Sequence, residues 1–250
     1  MARGHPLTKN FVVPIWISML VLVSASFSFG GEIFDDFEDG DAAGWERSPQ
    51  NKDSKTFWGV KKGEVVFDPQ NVPWDQAISQ FNFTGKGLNV GNPNEWTDYE
   101  LEVDLLHEVQ ANWPGGIRGH VDLKTGSHYA VWLYPGDSRI NLYSNPGWDI
   151  NTGLVDLGQA PYKPEVNKFH TVKLTFEGSA IKVSYDGKVL IEVKDSTYKK
   201  GTIALDNQDK VVHYDNVRIR GAGIPNLNAS PVSPAGKLAT AWGQIKNAPF

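Results

Sequence analysis

The sequence predicts an all-β fold, an antiparallel sandwich of two sheets. Three observations carry that prediction. Between residues 31 and 221 apolar and polar residues alternate in short runs, the period of a half-buried strand. Gly, Pro, Asn and Asp separate the runs, and no segment of helical period competes with them. At Asp186-Gly187 two alternating runs meet directly, a strong signal for a short hairpin.

Taken in order, the first thirty residues are not part of the fold. Arg3 and Lys9 precede a short apolar run, FVVPIWISMLVLV (11–23), and small residues follow as far as Gly30. This reads as a secretory signal peptide cut after Gly30. The rival reading is an uncleaved anchor, because the uncharged stretch approaches the roughly 20 residues a spanning helix needs; Pro14 and the serines favour cleavage. The sandwich domain then occupies 31–221. Its later strands are the clearest. In TVKLTFEG, Val172, Leu174 and Phe176 face inward; in AIKVSYDGKVLIEV, Ile181, Val183 and Tyr185 do. GTIALDN and VHYDNVRIRG complete this half. Residues 222–250 read as a Pro/Ser/Asn-rich linker and a short tail, KLATAWGQIK, with apolar residues at helical spacing.

Composition narrows the function classes. The chain has 250 residues, no cysteine and a formal charge of −5. Disulfides and cysteine-based metal or redox sites are therefore excluded. Loss of residues 1–30 removes two basic residues and no acidic one, leaving 22 basic against 29 acidic and a charge of −7. That balance argues against nucleic acid or an anionic membrane as partner. Nine tryptophans exceed what a core of this size needs and suggest flat surfaces for stacking.

Strand parity locates those surfaces. Leu101, Val103 and Leu105 are apolar, which leaves Glu100, Glu102 and Asp104 on the opposite face. Ile117, Val121 and Leu123 point inward and Arg118, His120 and Asp122 outward. Tyr129, Val131 and Leu133 form one set, His128, Trp132 and Tyr134 the other. Ile140 and Leu142 oppose Arg139, Asn141 and Tyr143. Were these four runs sheet neighbours, as sequential antiparallel strands usually are, their polar residues would form one surface of carboxylates, Arg, His, Asn and aromatics. Sugars are recognised by such a surface: their C–H faces stack on rings and their hydroxyls pair with polar groups. Trp113 and Trp148 flank it, each readable as a rim stacker or as a loop anchor.

The ordered series IFDDFEDGDAAGW, WTDYELEVDLL, GGIRGHVDL, HYAVWLYP, RINLYS, GTIAL and YDNVRIRG resembles the concanavalin A-like jelly-roll domains of secreted carbohydrate-active proteins. Laminin-G-like modules, the 3-keto-disaccharide hydrolase domain and family 16 glycoside hydrolases belong to that group. The resemblance implies a jelly roll and a link to sugars, but binding modules, lyases and hydrolases share the architecture. Family 16 hydrolases carry Glu-x-Asp-x-Glu in the matching strand. Here Glu102 and Glu108 are six residues apart, about 20 Å along a strand, whereas two acting carboxyls need a separation of about 5–10 Å. Glu100-x-Glu102-x-Asp104 has workable spacing with the acid types permuted. A lyase would draw its base from His120 or His107 and the same carboxylates.

The expected function is thus a secreted, non-catalytic glycan-binding module, monomeric, in a bacterial periplasm or outside the cell. Its ligand face comprises Glu102, Asp104, Arg118, His120, Trp132, Tyr134, Arg139, Asn141, Tyr143 and Trp148. The alternatives are a sugar-active enzyme using Glu100, Glu102, Asp104 and His120, or a protein-interaction module of laminin-G type. No cofactor is required. The acid-rich DDFEDGD turn with the last strand suggests a structural calcium on Asp36, Glu38 and Asp215, against the plainer reading of a turn capped by its own carboxylates.

Overall fold

The computed structural model describes residues 30–228 except positions 52, 71, 113 and 150. The signal segment apart from Gly30, Trp113 and the KLATAWGQIK tail lie outside the described residues.

The described residues form sixteen strands: β1 (Gly31–Asp35), β2 (Trp45–Arg47), β3 (Phe57–Lys61), β4 (Glu64–Asp68), β5 (Ser79–Phe83), β6 (Tyr99–His107), β7 (Gly115–Val121), β8 (His128–Tyr134), β9 (Arg139–Asn145), β10 (Val155–Ala160), β11 (His170–Glu177), β12 (Ala180–Tyr185), β13 (Lys188–Lys194), β14 (Thr202–Asn207), β15 (Val212–Gly221) and β16 (Leu227–Asn228). They form two sheets. The first runs β13-β12-β11-β6-β15-β1-β16, with β4 also paired to β15 and β3 to β4; the second runs β10-β9-β8-β7-β14-β5-β2. Pairing is antiparallel except between β1 and β16. The chain is an all-β jelly-roll sandwich, as its alternation predicts.

The expected hairpin forms at Asp186-Gly187, where both residues take the positive φ that a type I′ turn requires (48° and 77°). The core lies between the sheets. Leu101, Val103 and Leu105 of β6 and Val172, Leu174 and Phe176 of β11 meet Ile117, Val131, Leu133 and Leu142 from the opposite sheet. Two tyrosines of the first sheet also bond the backbone of the second. The Tyr99 hydroxyl donates to Thr202 O at 3.2 Å and accepts the His120 N–H at 2.7 Å. The Tyr214 hydroxyl accepts the Gly116 N–H at 3.1 Å and faces the carbonyls of Gly116 and Asp206. Burial pushes both phenols up, so they stay neutral. Gly116 has no room for a side chain, since a Cβ there would sit 2.0 Å from Val131 O.

Two expectations change here. Strand β6 is not a neighbour of β7; residues 108–114 carry the chain from the first sheet to the second. The rule that sequential strands pair holds for β7, β8 and β9 and fails at this crossover. The chain also stays on the sandwich past Gly221. Ile224 is buried in the core and Leu227 pairs with Ile33, so the segment after residue 221 begins as packed structure.

Replacing Tyr214 by Phe leaves buried backbone groups of the second sheet unpaired. A loss of about 1–3 kcal/mol is expected, read as a shift in the urea midpoint at unchanged slope.

Candidate functional site

The two outer sheet faces differ in kind. On the first sheet the outward residues are half-exposed and paired as ladders of opposite charge. Lys173 reaches Glu102 at 2.8 Å and Glu100 at 3.6 Å, and Arg218 reaches Glu102 at 3.6 Å. Asp104 accepts hydrogen bonds from Thr171 Oγ1 at 2.6 Å and Asn216 Nδ2 at 3.0 Å. This is the solvated face of an antiparallel sheet. Glu100, Glu102 and Asp104 therefore lie on the far side of the sandwich from Arg118 and Trp132, and they belong neither to a shared ligand face nor to a catalytic group with His120.

On the second sheet the outward residues are polar yet buried. Arg118 is 2% exposed and donates to Asp206 Oδ2 from Nε (2.9 Å) and Nη2 (2.7 Å). The Trp132 indole N–H donates to the same oxygen at 2.6 Å. Burial pushes the Asp206 carboxyl up, against the pull of the guanidinium and the indole N–H. Arg118 Nη1 lies 2.9 Å from His128 Nε2. A guanidinium only donates, so Nε2 accepts, and the His128 proton sits on Nδ1, 2.7 Å from Gly126 O. Burial and the adjacent Arg118 hold the His128 imidazole well below its ordinary value, neutral. Further along the face, Arg139 donates to Asn141 Oδ1 (2.7 Å) and the Tyr143 hydroxyl (3.1 Å), and its guanidinium lies 3.7 Å from the centre of the Tyr134 ring. Asn141 in turn donates to Asp156 at 2.9 Å.

Loops wall this face into a groove. One depression of about 270 Å³ is floored by Arg118 and Gln80 and walled by Gln50, Asn51, Asp53, Ser54, Gln76, Trp148, Asp149 and Asn151. A second, of about 580 Å³, holds Trp132, Tyr134, Asp137, Arg139, Leu154 and Gln208. They share Ile78 and Asn151, so the groove is continuous.

Arg118, Trp132, Tyr134, Arg139, Asn141, Tyr143 and Trp148 are brought together as the parity predicts. His120 is not. It takes φ +47°, and two residues of β7 stand opposite Ile203 there, a bulge that turns the ring inward. The imidazole stacks on Phe176 with centroids 3.8 Å apart and touches the carbonyls of Tyr198 and Thr97. Nor are the aromatics open platforms. Trp132, Tyr134 and Tyr143 are 5–8% exposed and pack with Ala130 and Leu154 as a small second core. Trp148 does both things its position allowed: it lines the first depression, and its ring lies against Gly126, where a Cβ would come within 2.2 Å. Sequence reasoning missed Asp206, Gln80 and Asn82. Their signal was the same alternation, in SQFNF and TIALDN.

The carboxylates named for calcium do not fit a metal. Among the described residues no group of three or more His, Asp or Glu is gathered closely enough to hold one. Asp36 Oδ1 accepts the Glu38 N–H and Asp215 Oδ1 the Asn216 N–H, as in capped turns.

Residues 32–220 match the model of the family described as 3-keto-alpha-glucoside-1,2-lyase-like domain. No curated protein matches the chain in sequence. Among solved structures the chain is similar to the carbohydrate binding module CBM66 from Bacillus subtilis, with TM-score 0.56 and 15% identity over 72% of this chain and 96% of that one. It is also similar to a Bacillus licheniformis beta-glucanase, with TM-score 0.51 and 11% identity over 77% and 98% of the two chains. At such identities the likeness is one of fold: each is a sandwich of this architecture.

Two outcomes are expected. Asp206→Asn leaves a buried guanidinium without its counter-charge and should destabilise by about 3–5 kcal/mol; Arg118→Met with Asp206→Leu should lose less than either single change, all measured by chemical denaturation. Asp215 offers a pH test. Burial first, and then the nearby Asp104, Glu64 and Asp36 carboxylates, push it up from 3.8 to about 6. The folded protein then holds a proton that the unfolded chain releases between about pH 4 and 6, so its contribution to stability falls as pH rises through that window. Asp215→Asn should flatten the corresponding part of a Tm-against-pH profile and leave the more acid limb unchanged.

Proposed function

The chain belongs to the family of 3-keto-alpha-glucoside-1,2-lyase-like domains, and on that premise we propose that it is a secreted glycan-binding domain that holds its ligand, uncleaved, in the groove on the second sheet. The supporting observation is the contrast between the two outer faces. A solvated face bears exposed, loosely paired Lys and Glu, as the first sheet does. The second sheet instead buries Arg118, Asp206, Asn141 and Gln80 under loops and keeps them in fixed hydrogen-bonding geometry at the bottom of a groove. Polar groups held in place before the ligand arrives lose little freedom on binding, which is what a weakly apolar ligand rich in hydroxyls requires.

The groove suits binding better than proton transfer. The Asp206 Oδ2 atom receives three donors and His128 has both ring nitrogens engaged, so neither is poised as a base. The carboxylates that remain, Asp53, Asp137 and Asp149, are exposed at the wall; Asp137 is paired with Arg139, and Asp149 is held by Asn151 and Thr152. The family description favours a second reading, a lyase that removes the proton beside the ketone of a 3-keto-glucoside; Asp53 or Asp149 would then be its base. Export rests on the apolar segment 11–23, and a monomer is proposed with it. Among the described residues no helix is long and apolar enough to cross a membrane.

Calorimetric titration with neutral oligosaccharides, run beside an assay for products from a 3-keto-glucoside, separates the readings. Binding without turnover is expected, with affinity at least tenfold weaker in Trp148→Ala at an unchanged near-ultraviolet dichroism spectrum. Absence of heat across the panel would sink the binding reading. Turnover lost in Asp149→Asn would establish the lyase.

A further inference from the structure

Beyond Arg118 the second sheet continues for three more strands, β14, β5 and β2, and its surface at that edge is also hollow. A third depression, of about 670 Å³, lies at this edge and is lined by Glu46, Arg47, Trp58, Asn82, Thr84 and Leu123, among others. It is stitched to the Arg118 depression by two hydrogen bonds. Gln80 Nε2, on the floor of one, donates to Asn82 Oδ1, on the floor of the other, at 2.7 Å. Arg47 Nη1 donates to Ser54 O across the intervening wall at 3.2 Å.

The Gln80–Asn82 pair leaves one group over on each side. Asn82 is 2% exposed, spends its carbonyl oxygen on Gln80 and has no partner for Nδ2. Gln80, equally buried, has no partner for Oε1. Each remaining group belongs to a residue that lines its depression, so a ligand seated there could pair with it. The neighbouring charged groups are already engaged: Glu46 in an ion pair with Lys86 at 2.7 Å, and Arg47 in hydrogen bonds to the carbonyls of Ser54 and Thr56. The Trp58 ring, half-buried against Phe81, adds an aromatic wall whose indole N–H makes no hydrogen bond. A donor, an acceptor and an aromatic ring, beside charged groups whose hydrogen bonds are already engaged, together describe a site for a hydroxylated ring.

We propose that this edge depression is a further sugar subsite and that the groove takes a neutral oligosaccharide lying across the strands from β9 to β2. The inference rests on the glycan-binding reading above and extends it to the length of the ligand. Six adjacent strands span about 24 Å, several times the width of one pyranose ring. The chain would pass over Tyr134 and Arg139, then Arg118, which still has two of its five N–H groups without a partner, and would end against Asn82 and Trp58.

Calorimetry with malto-, cello- and laminari-oligosaccharides of one to six units tests this. In the series that binds, Kd should fall at least tenfold between two and four units. Trp58→Ala and Asn82→Ala should each abolish that gain and leave the Kd for the shorter ligand within twofold. Leu123→Lys, a half-buried loop position whose new side chain would fill the depression, should do the same without touching the core. A Kd that does not change with length, or a length gain untouched by all three variants, overturns the subsite while the glycan-binding reading stands. If no member of any series binds, short or long, both fall together.

Discussion

One carboxylate organises the second sheet. Asp206 sits on β14 with its side chain outward, and its Oδ2 atom takes hydrogen bonds from Arg118 on β7 and Trp132 on β8. Its own backbone carbonyl faces the Tyr214 hydroxyl, which crosses the core from the other sheet. Three strands and both layers are thus tied at one residue. The arrangement is demanding, because a buried ion pair repays its desolvation only when the surrounding donors and acceptors are all engaged. His128 meets the remaining requirement by staying neutral and accepting from Arg118. From this cluster the polar network runs outward in both directions, towards Asn141 and Arg139 on one side and Gln80 and Asn82 on the other.

Alternation was a sound guide within each strand and a poor one between strands. The inward sets of β6, β8, β9, β11 and β12 all lie in the core as their period demands. What alternation lacks is any record of which sheet a strand joins. The crossover after His107 therefore moved Glu100, Glu102 and Asp104 to the far face without disturbing their parity. His120 shows a second blind spot. A positive φ at a non-glycine residue leaves no local signature, so the bulge that turned the ring inward could be seen only in the pairing of β7 with β14. The tryptophan argument erred differently: Trp132 is on the predicted face, but the loop bearing Leu154 closes over it. Gln80, Asn82 and Asp206 were legible by the rule already in use, in runs to which it was not applied.

The same contrast explains why the acid-rich strand looked catalytic. Carboxylates at alternate positions arise in any antiparallel sheet with one face in water, where they alternate with lysines on the next strand. The register here places Lys173 opposite Glu102 and Thr171 opposite Asp104. Lys173 thereby serves Glu100 and Glu102 together, and Asp104, set opposite Asp215, is held by Thr171 and Asn216. A strand-borne acid pair becomes informative only once its neighbours across the ladder are known.

The double duty of the groove floor also sets where its specificity can vary. Arg118, Asp206 and Trp132 hold the sheet together on its grooved face, so a change made there would also unbalance a buried ion pair. Trp148, Asn151 and Leu123 carry no such burden: they sit on loops that connect strands without bearing the ladder, and loops tolerate substitution because few core contacts depend on them. A fold built this way keeps a constant polar floor and changes its walls. The likeness to a carbohydrate binding module and a beta-glucanase at identities near 11–15% is one of that sandwich architecture, which by itself assigns no activity.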